Sequence, residues 1–273
     1  MPELPEVEVV RLSLVPHLPG RRIVCVDVRS PALREPLDRT ALEGLAGQRV
    51  GTLRRRAKYL LIDVDDGRTL ALHLGMSGRL TLVPSHTPPV RHEHVAARLD
   101  DGRRLRLVDP RRFGQAFVIA TDALERDRHF AHLGPEPLED LFDGAVLQRA
   151  ARGRRGPIKT FLMDAGVVVG VGNIYASEAL WRAGVHPRRS VARVSAATWE
   201  RVAGAVRDTL ADAIREGGTT LNDFTDSGGH AGDFQVSLAA YGRAGEACDR
   251  CPASIRRIVQ SNRSTFYCPG CQR

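Results

Sequence analysis

The sequence predicts an α+β protein: an antiparallel β-rich front part, a helical middle and a four-cysteine ribbon at the end. Three observations carry this. Short alternating runs split by Asp-Gly turns fill roughly the first 130 residues; helical periodicity follows the break Gly134-Pro135-Glu136-Pro137; and the chain closes on Cys248-x2-Cys251-x16-Cys268-x2-Cys271. With 273 residues, 42% of them hydrophobic, the chain can build two cores, or one large core plus a module. No apolar run reaches membrane length and no charged-then-apolar leader opens the chain, so a soluble intracellular protein is expected. A net charge of +8 and a pI near 9.8 favour a polyanionic partner, above all nucleic acid. Lys58 and Lys159 are the two lysines among 40 basic residues, which marks both as positions where an amine is wanted in place of a guanidinium, unless they are chance survivors of an arginine-rich composition.

Element by element, Val7, Val10 and Leu14 recur at helical spacing, predicting a helix over 6–18 that ends before Gly20. Val24, Val26 and Val28 alternate and predict a strand over 22–29 with these valines on one face and Cys25 as an ordinary buried thiol on the other. Strands follow near 48–54, 57–64, 69–74, 94–99 and 103–108, with turns at Asp65-Asp66-Gly67 and Asp101-Gly102. A sandwich or barrel-like packing of these strands is expected over residues 1–134. In the helical part, 135–236, helices are expected up to about 151, over 158–164, over 173–182 and over 196–216. Ser195 caps the last, and Trp199, Val202, Val206, Leu210 and Ile214 form its core stripe. The glycine-rich stretch 217–234 is long for a compact domain and is therefore either functional or disordered. Residues 237–273 form the terminal module.

Several residues carry chemistry by type and place. Trimming Met1 would leave Pro2 as a secondary α-amine, which titrates near neutrality and can attack a carbonyl-level carbon to give an iminium; Glu3 and Glu6 place two carboxylates beside it. The plainer reading is that Pro2 starts a chain and Pro5-Glu6 opens a helix. His73 to Gly78, Arg91 to His94 and Asp109 to Gly114 are polar or glycine-rich loops. Phe113, between cations and glycine, suits a wedge entering a base stack, or else an anchor holding its own loop. His92 and His94 lack a further His or Cys nearby to complete a metal set. Arg149, Arg152, Arg154 and Arg155 form a basic run, either a solvated face or a phosphate contact. Gly170 and Gly172 ahead of Asn173 leave helical N–H groups open to a phosphate. Cys248, Cys251, Cys268 and Cys271 have the spacing of a tetrahedral zinc site holding one structural Zn2+, with Arg263 on the hairpin between the pairs.

These stretches together resemble the formamidopyrimidine-DNA glycosylase family. The resemblance rests on Met1 to Glu8, Arg56-Ala57-Lys58-Tyr59-Leu60-Leu61, His73 to Gly78, Asp109 to Gly114, Val169 to Glu178, and Arg263 to Gln272, and runs nearly end to end. It implies an N-terminal β-sandwich with flanking helices, a helix–two-turn–helix domain with a lesion-recognition loop at 217–234, and a zinc finger, with damaged double-stranded DNA held in the cleft between them. It implies a monomeric, cytoplasmic, nucleoid-associated bacterial enzyme that removes 8-oxoguanine and formamidopyrimidines through a Pro2 Schiff base and then cleaves the strand by β,δ-elimination. By matching position, Glu3 and Glu6 support acid–base steps, Lys58 and Arg263 assist the lyase steps, and Met76, Arg111 and Phe113 fill the gap left by the flipped nucleotide. His73, His92, Arg155, Asn173, Tyr241 and Arg263 are the implied DNA contacts. Endonuclease VIII-like enzymes for oxidised pyrimidines are the neighbouring reading, which Leu4 and the Arg111-x-Phe113 wedge disfavour; a non-catalytic zinc-ribbon DNA binder is the other. The chain departs from the family pattern in the arginines ahead of Ile158, where lysine is frequent, and in Pro252, where glycine is common.

Overall fold

A computed structural model of the chain describes residues 2–139, 141–218 and 238–273. They fall into two compact units, one built on residues up to Ala131 together with Gly217 and Gly218, the other on His132–Glu216 and 238–273. Among the described residues no helix is long and apolar enough to cross a membrane.

The first unit opens with α1 (Leu4–Leu14). Leu4, Val7, Val10 and Leu14 lie on its inner face at 2% exposure or less, and burial of such side chains contributes roughly 1.5–3 kcal/mol each. That packing, against β2 (Val50–Arg56) and β3 (Tyr59–Val64), fixes where the N-terminal residues sit. The sequence-expected helix to residue 18 stops four residues early, and 15–18 form turns. After β1 (Ile23–Val28) and the short α2 (Arg39–Glu43) come β4 (Arg68–His73), β5 (Arg79–Pro84), β6 (Glu93–Leu99), β7 (Arg103–Val108) and β8 (Gln115–Ala120). They make two antiparallel four-stranded sheets, β1-β6-β7-β5 and β2-β3-β4-β8. One core joins their inner faces, with Ile23, Val26, Leu82, Leu105 and Leu107 from the first sheet and Leu53, Leu60, Ile62, Leu70 and Leu72 from the second.

The expected β1 pattern needs correction. Its pairing with β6 shifts between Ile23 and Cys25, so Ile23 turns into the core and Val24 turns out, 52% exposed. Cys25, half-buried on the sheet, accepts from Arg98 Nε at 2.7 Å.

In the second unit, α3 (Gly144–Ala150), α4 (Ile158–Leu162), α5 (Asn173–Ala183) and α6 (Ala196–Arg215) pack around Trp199, Tyr175, Leu180 and Leu210. Asp143 caps α3 at its Val146 N–H and Ser195 caps α6 at its Thr198 N–H, as short oxygen-bearing side chains do. Gly184 ends α5 in the left-handed conformation that glycine tolerates best. The ribbon adds two hairpins, β9 (Ala247–Cys248) with β10 (Cys251–Ser254) and β11 (Arg256–Gln260) with β12 (Arg263–Tyr267). The expected loop 217–234 lies outside the described residues apart from Gly217 and Gly218.

Candidate functional site

In the first unit the site begins at the start of α1. Glu3 is its N-cap and forms a reciprocal capping box with Glu6: the Glu3 side chain accepts the Glu6 backbone N–H, and Glu6 Oε2 accepts the Glu3 N–H at 2.7 Å. Both carboxylates are buried, at 1% and 0% exposure, directly after a half-buried Pro2. Gly218 closes over this box. A Cβ on it would stand 3.2 Å from Glu6 Cγ and Oε1, and its φ of +81° is one that side chains rarely adopt. Glu8, in the same stretch, is committed elsewhere, to Arg11 at 2.6 Å and Arg55 at 3.1 Å. Burial raises the Glu8 pKa, but the two guanidiniums outweigh it and hold the carboxyl below its usual range.

Lys58 sits at the two-residue turn between β2 and β3, where Ala57 takes a φ of 53° and Arg55 Nη1 donates to the Ala57 carbonyl at 3.0 Å. Its charge reaches His73 at the end of β4. Burial first, then the Lys58 and Arg34 charges, push the His73 pKa down to about 4. His73 Nδ1 accepts the Gly75 N–H at 3.0 Å, so the neutral ring carries its proton on Nε2. The His73 ring lies 4.9 Å from Tyr59, whose hydroxyl burial and the Glu35 charge push up to about 12.

The loop after His73 and the loop 109–114 press together. A Cβ on Gly75 would meet the Phe113 carbonyl carbon at 2.4 Å, and one on Gly114 the His73 carbonyl oxygen at 2.7 Å. From the fused pair Met76 and Phe113 project, 43% and 42% exposed, and the Arg111 guanidinium lies 4.6 Å over the Phe113 ring. His92 takes a left-handed φ of 65°, with its carbonyl accepting the Asp109 N–H at 3.0 Å. The neighbouring His94 is buried and hydrogen-bonded to Ser30 and to the Asp109 carbonyl, which places it in the scaffold of these loops.

In the second unit a polar cluster gathers at the start of α5. Asn173 Nδ2 donates to the Ser264 carbonyl at 3.0 Å and to the Tyr241 hydroxyl at 3.3 Å. Lys159, only 1% exposed, donates to Asn173 Oδ1 at 2.5 Å, Thr265 Oγ1 at 2.7 Å and the Ser264 carbonyl at 3.4 Å. Arg263 stands exposed at the tip of the β11–β12 hairpin, after a turn in which Ser261 and Asn262 have φ of 47° and 60°. Arg155 is exposed on its own loop and makes no side-chain hydrogen bond or ion pair with this cluster among the described residues, whereas Arg154 pairs with Asp164 at 2.7 Å. Glu178, a buried acid on α5, accepts the backbone N–H groups of Ala239, Ala240 and Tyr241 at 2.7 to 2.9 Å. Lys159 drew notice as a rare lysine, and Glu178 lay inside a matched motif, yet neither received a role from sequence.

The four ribbon cysteines converge, with ligand atoms all within 4.8 Å of one another. Sγ of Cys248 and Cys271 are 3.9 Å apart, and those of Cys251 and Cys268 3.5 Å. Tetrahedral thiolates about 2.3 Å from a zinc ion stand about 3.8 Å apart, so the donor set fits that metal. Burial resists ionisation of Cys248, but the Arg250 backbone N–H and neighbouring donors bring it down to about 6. Cys271 is pushed up to about 12 by its hydrogen bond to Cys251, then by burial and its other thiol neighbours. Gly270 leaves the needed room, since a Cβ there would lie 2.9 Å from Cys251 Sγ. Cys25 takes no part.

Comparison with known proteins agrees with this geometry. Residues 1–116 match the formamidopyrimidine-DNA glycosylase N-terminal domain, 133–225 the formamidopyrimidine-DNA glycosylase H2TH domain, and 245–273 the zinc finger found in FPG and IleRS. The chain is 52% identical to the formamidopyrimidine-DNA glycosylase of Alkalilimnicola ehrlichii and 51% identical to that of Halorhodospira halophila, over the full length of each partner. Among solved structures it is similar to the Lactococcus lactis enzyme in complex with DNA containing an abasic site (TM-score 0.91, 31% identity, 99% of each chain). It is also similar to the Lactococcus lactis enzyme in complex with DNA containing Fapy-dG (TM-score 0.89, 30% identity, 99% of this chain and 100% of that one). The chain belongs to the formamidopyrimidine-DNA glycosylase family. It is a DNA glycosylase of DNA repair, with the family's sheet domain, H2TH domain and four-cysteine zinc-finger region.

Proposed function

We propose that this glycosylase removes oxidised purines, 8-oxoguanine and formamidopyrimidines, from duplex DNA with Pro2 as nucleophile, and then cleaves the strand at the same site. The observation that carries the reading is the buried Glu3–Glu6 capping box immediately after Pro2. Once Met1 is removed, the Pro2 nitrogen lone pair bonds to the sugar C1′, and the C1′–N bond to the damaged base breaks. Glu3 protonates the ring oxygen as the sugar opens, leaving an iminium on Pro2. Loss of a C2′ proton expels the 3′ phosphate, a second elimination expels the 5′ phosphate, and water frees the amine. Glu6 holds the Glu3 backbone in place and keeps a second carboxylate near the amine.

The remaining residues hold DNA. Lys58, at a hairpin tip, supplies a cation at the phosphate beside the reacting sugar, and His73 shapes the loop behind it. Met76, Arg111 and Phe113 enter the space left by the extruded nucleotide, Arg111 addressing the orphaned cytosine and Phe113 stacking. His92, Arg155, Asn173 and Arg263 bind phosphates, with Tyr241 behind Asn173, and Arg263 also supports the second elimination electrostatically. Cys248, Cys251, Cys268 and Cys271 would hold zinc, which would supply structure alone by fixing the ribbon from which Arg263 projects.

The test is a chain that keeps Met1, verified by mass spectrometry. Borohydride trapping on an 8-oxoguanine duplex should link the processed protein to DNA and leave the Met1-retaining form unlinked, with equal unfolding curves for the two. Trapping of both forms would overturn the Pro2 assignment.

A further inference from the structure

Asp109 is fully buried, and among the described residues its carboxylate makes no ion pair. Its carboxylate instead gathers donors from the two loops that carry the exposed Met76, Arg111 and Phe113. Oδ1 accepts from Ser77 Oγ at 2.6 Å and the Arg111 N–H at 3.2 Å; Oδ2 accepts the Gly114 N–H at 2.8 Å. Its backbone reaches a third loop, since the Asp109 N–H donates to the His92 carbonyl at 3.0 Å. The Asp109 carbonyl accepts from His94 Nε2 at 2.8 Å, so His94 carries its proton there and Nδ1 accepts from Ser30 Oγ at 2.7 Å. One residue thus ties together the segments bearing Met76, His92, Arg111 and Phe113.

We infer that Asp109 is a positioning residue: it locks Met76, Arg111 and Phe113 into one preorganised wedge and so controls base extrusion and opposite-base selection while taking no part in the amine chemistry. The inference rests on the gap-filling reading of those three side chains. The chemistry requires an acid. Three donors converge, and only a carboxylate offers acceptors on both oxygens. An amide of the same shape puts a donor against either the Gly114 N–H or the Arg111 N–H, and the misplaced pair opens the loop. The close approach of Gly75 to the Phe113 carbonyl leaves no room to absorb the opening locally. Ser77 is the arm that crosses between the loops, so removing its hydroxyl uncouples Met76 from the Arg111–Phe113 side while sparing both other contacts of Asp109.

The experiment compares Asp109→Asn, Ser77→Ala and Phe113→Ala with the processed wild-type protein on two duplexes, one with 8-oxoguanine and one with a pre-formed abasic site, each opposite C or A. Asp109→Asn should slow 8-oxoguanine excision about tenfold and narrow the preference for C, while abasic-site cleavage falls about threefold or less. Ser77→Ala should show the same split at about a third of the size on a logarithmic scale, and adding it to Phe113→Ala should cost less than it does alone. Equal loss of both reactions in Asp109→Asn and in Ser77→Ala, or unchanged excision in both, would overturn the inference. Should Asp109→Asn not fold, Ser77→Ala and its cycle with Phe113→Ala decide alone, additivity counting against the inference. Unchanged excision in Phe113→Ala would instead sink the gap-filling reading itself, a result distinguishable from failure of Asp109 alone.

Discussion

Replacing Glu178, itself no proposed DNA contact, by Gln should damage the ribbon end of the molecule. Glu178 Oε1 accepts two backbone N–H groups, Ala240 at 2.9 Å and Tyr241 at 2.7 Å, and Oε2 accepts a third, Ala239 at 2.9 Å. Glutamine can keep the first two through its carbonyl oxygen, now as neutral bonds, each weaker by about 1 kcal/mol than one to a carboxylate. Its amide nitrogen then faces the Ala239 N–H, donor against donor, and leaving a buried donor unmet costs about 1–3 kcal/mol. The total is about 3–5 kcal/mol, which lowers the melting temperature of a unit of this size by on the order of 10 °C. The damage should reach function because Tyr241 joins the two groups: its backbone N–H donates to Glu178, and its hydroxyl accepts from Asn173 Nδ2 at 3.3 Å. The assay pairs thermal unfolding of full-length protein with DNA affinity by fluorescence anisotropy at fixed salt. Weaker binding with a lower melting temperature supports the reasoning. A Glu178→Gln protein that melts and binds as wild type would refute it, since the three contacts would then carry no free energy.

Three further outcomes follow from other parts of the structure. Metal analysis should find one zinc per chain, and Cys268→Ala, leaving three ligands, should lose it and bind DNA much more weakly while the β-sheet unit keeps its own unfolding transition. Phe113→Ala should slow 8-oxoguanine excision by about 5- to 150-fold, the worth of roughly 1–3 kcal/mol of base stacking, and spare a pre-formed abasic site. Because the Arg111 guanidinium rests 4.6 Å over that ring, Phe113→Ala should also weaken part of the preference for C that Arg111→Ala abolishes, as incision opposite C and A will measure. His73 favours its neutral form in the folded protein, with a pKa near 4 against 6.5 for the free side chain. The unfolded chain therefore takes up the proton first, and this part of stability, full above about pH 6.5, is lost as pH falls toward 4; urea unfolding of His73→Gln should lack that loss.

What could be read in the sequence, and what could not, divides along physical lines. The zinc ligands were legible because two tight knuckles fix their geometry within short spacings, and the Ser195 cap is equally local. The reciprocal capping of Glu3 and Glu6 does not show in the sequence, where Glu6 reads as a helix-opening acid and the two carboxylates as an acid and a base. Strand β1 misled because alternation alone cannot show the register shift that exposes Val24. Strands β5 and β8 went unassigned, each following a loop that dominates the local pattern, and they became strands by pairing with β7 and β4. Lys159 could not be placed from sequence, because its partners Asn173 and Thr265 lie 14 and 106 residues away. Asp109 was legible as part of a matched loop and silent as to its work, because the Ser77 donor, 32 residues away, meets it only after β5 has paired with β7.

The same contrast bears on how the chemistry is divided. Residues proposed to touch DNA are mostly exposed or at turns: Met76, Arg111, Phe113 and Arg263, with Lys58 at a hairpin tip. Those that fix their geometry are buried and polar: Glu6, Asp109, Lys159 and Glu178, each at 7% exposure or less. A buried ionised group is costly unless its hydrogen bonds are met. For Asp109, Lys159 and Glu178 the partners met are backbone groups and neutral side chains of the segments that carry the contact residues. The cost of burial is thereby converted into definition of a loop or hairpin. Wedge and phosphate contacts must keep their shape while DNA is bent and a nucleotide leaves the stack, and preorganisation of this kind supplies it before DNA arrives. Substitutions at the buried set should therefore lower the efficiency of base removal through misplacement, and substitutions at the exposed set through lost contact. Salt separates the two, because only loss of a phosphate-binding cation such as Arg263 reduces the slope of log affinity against log salt, by about one per contact.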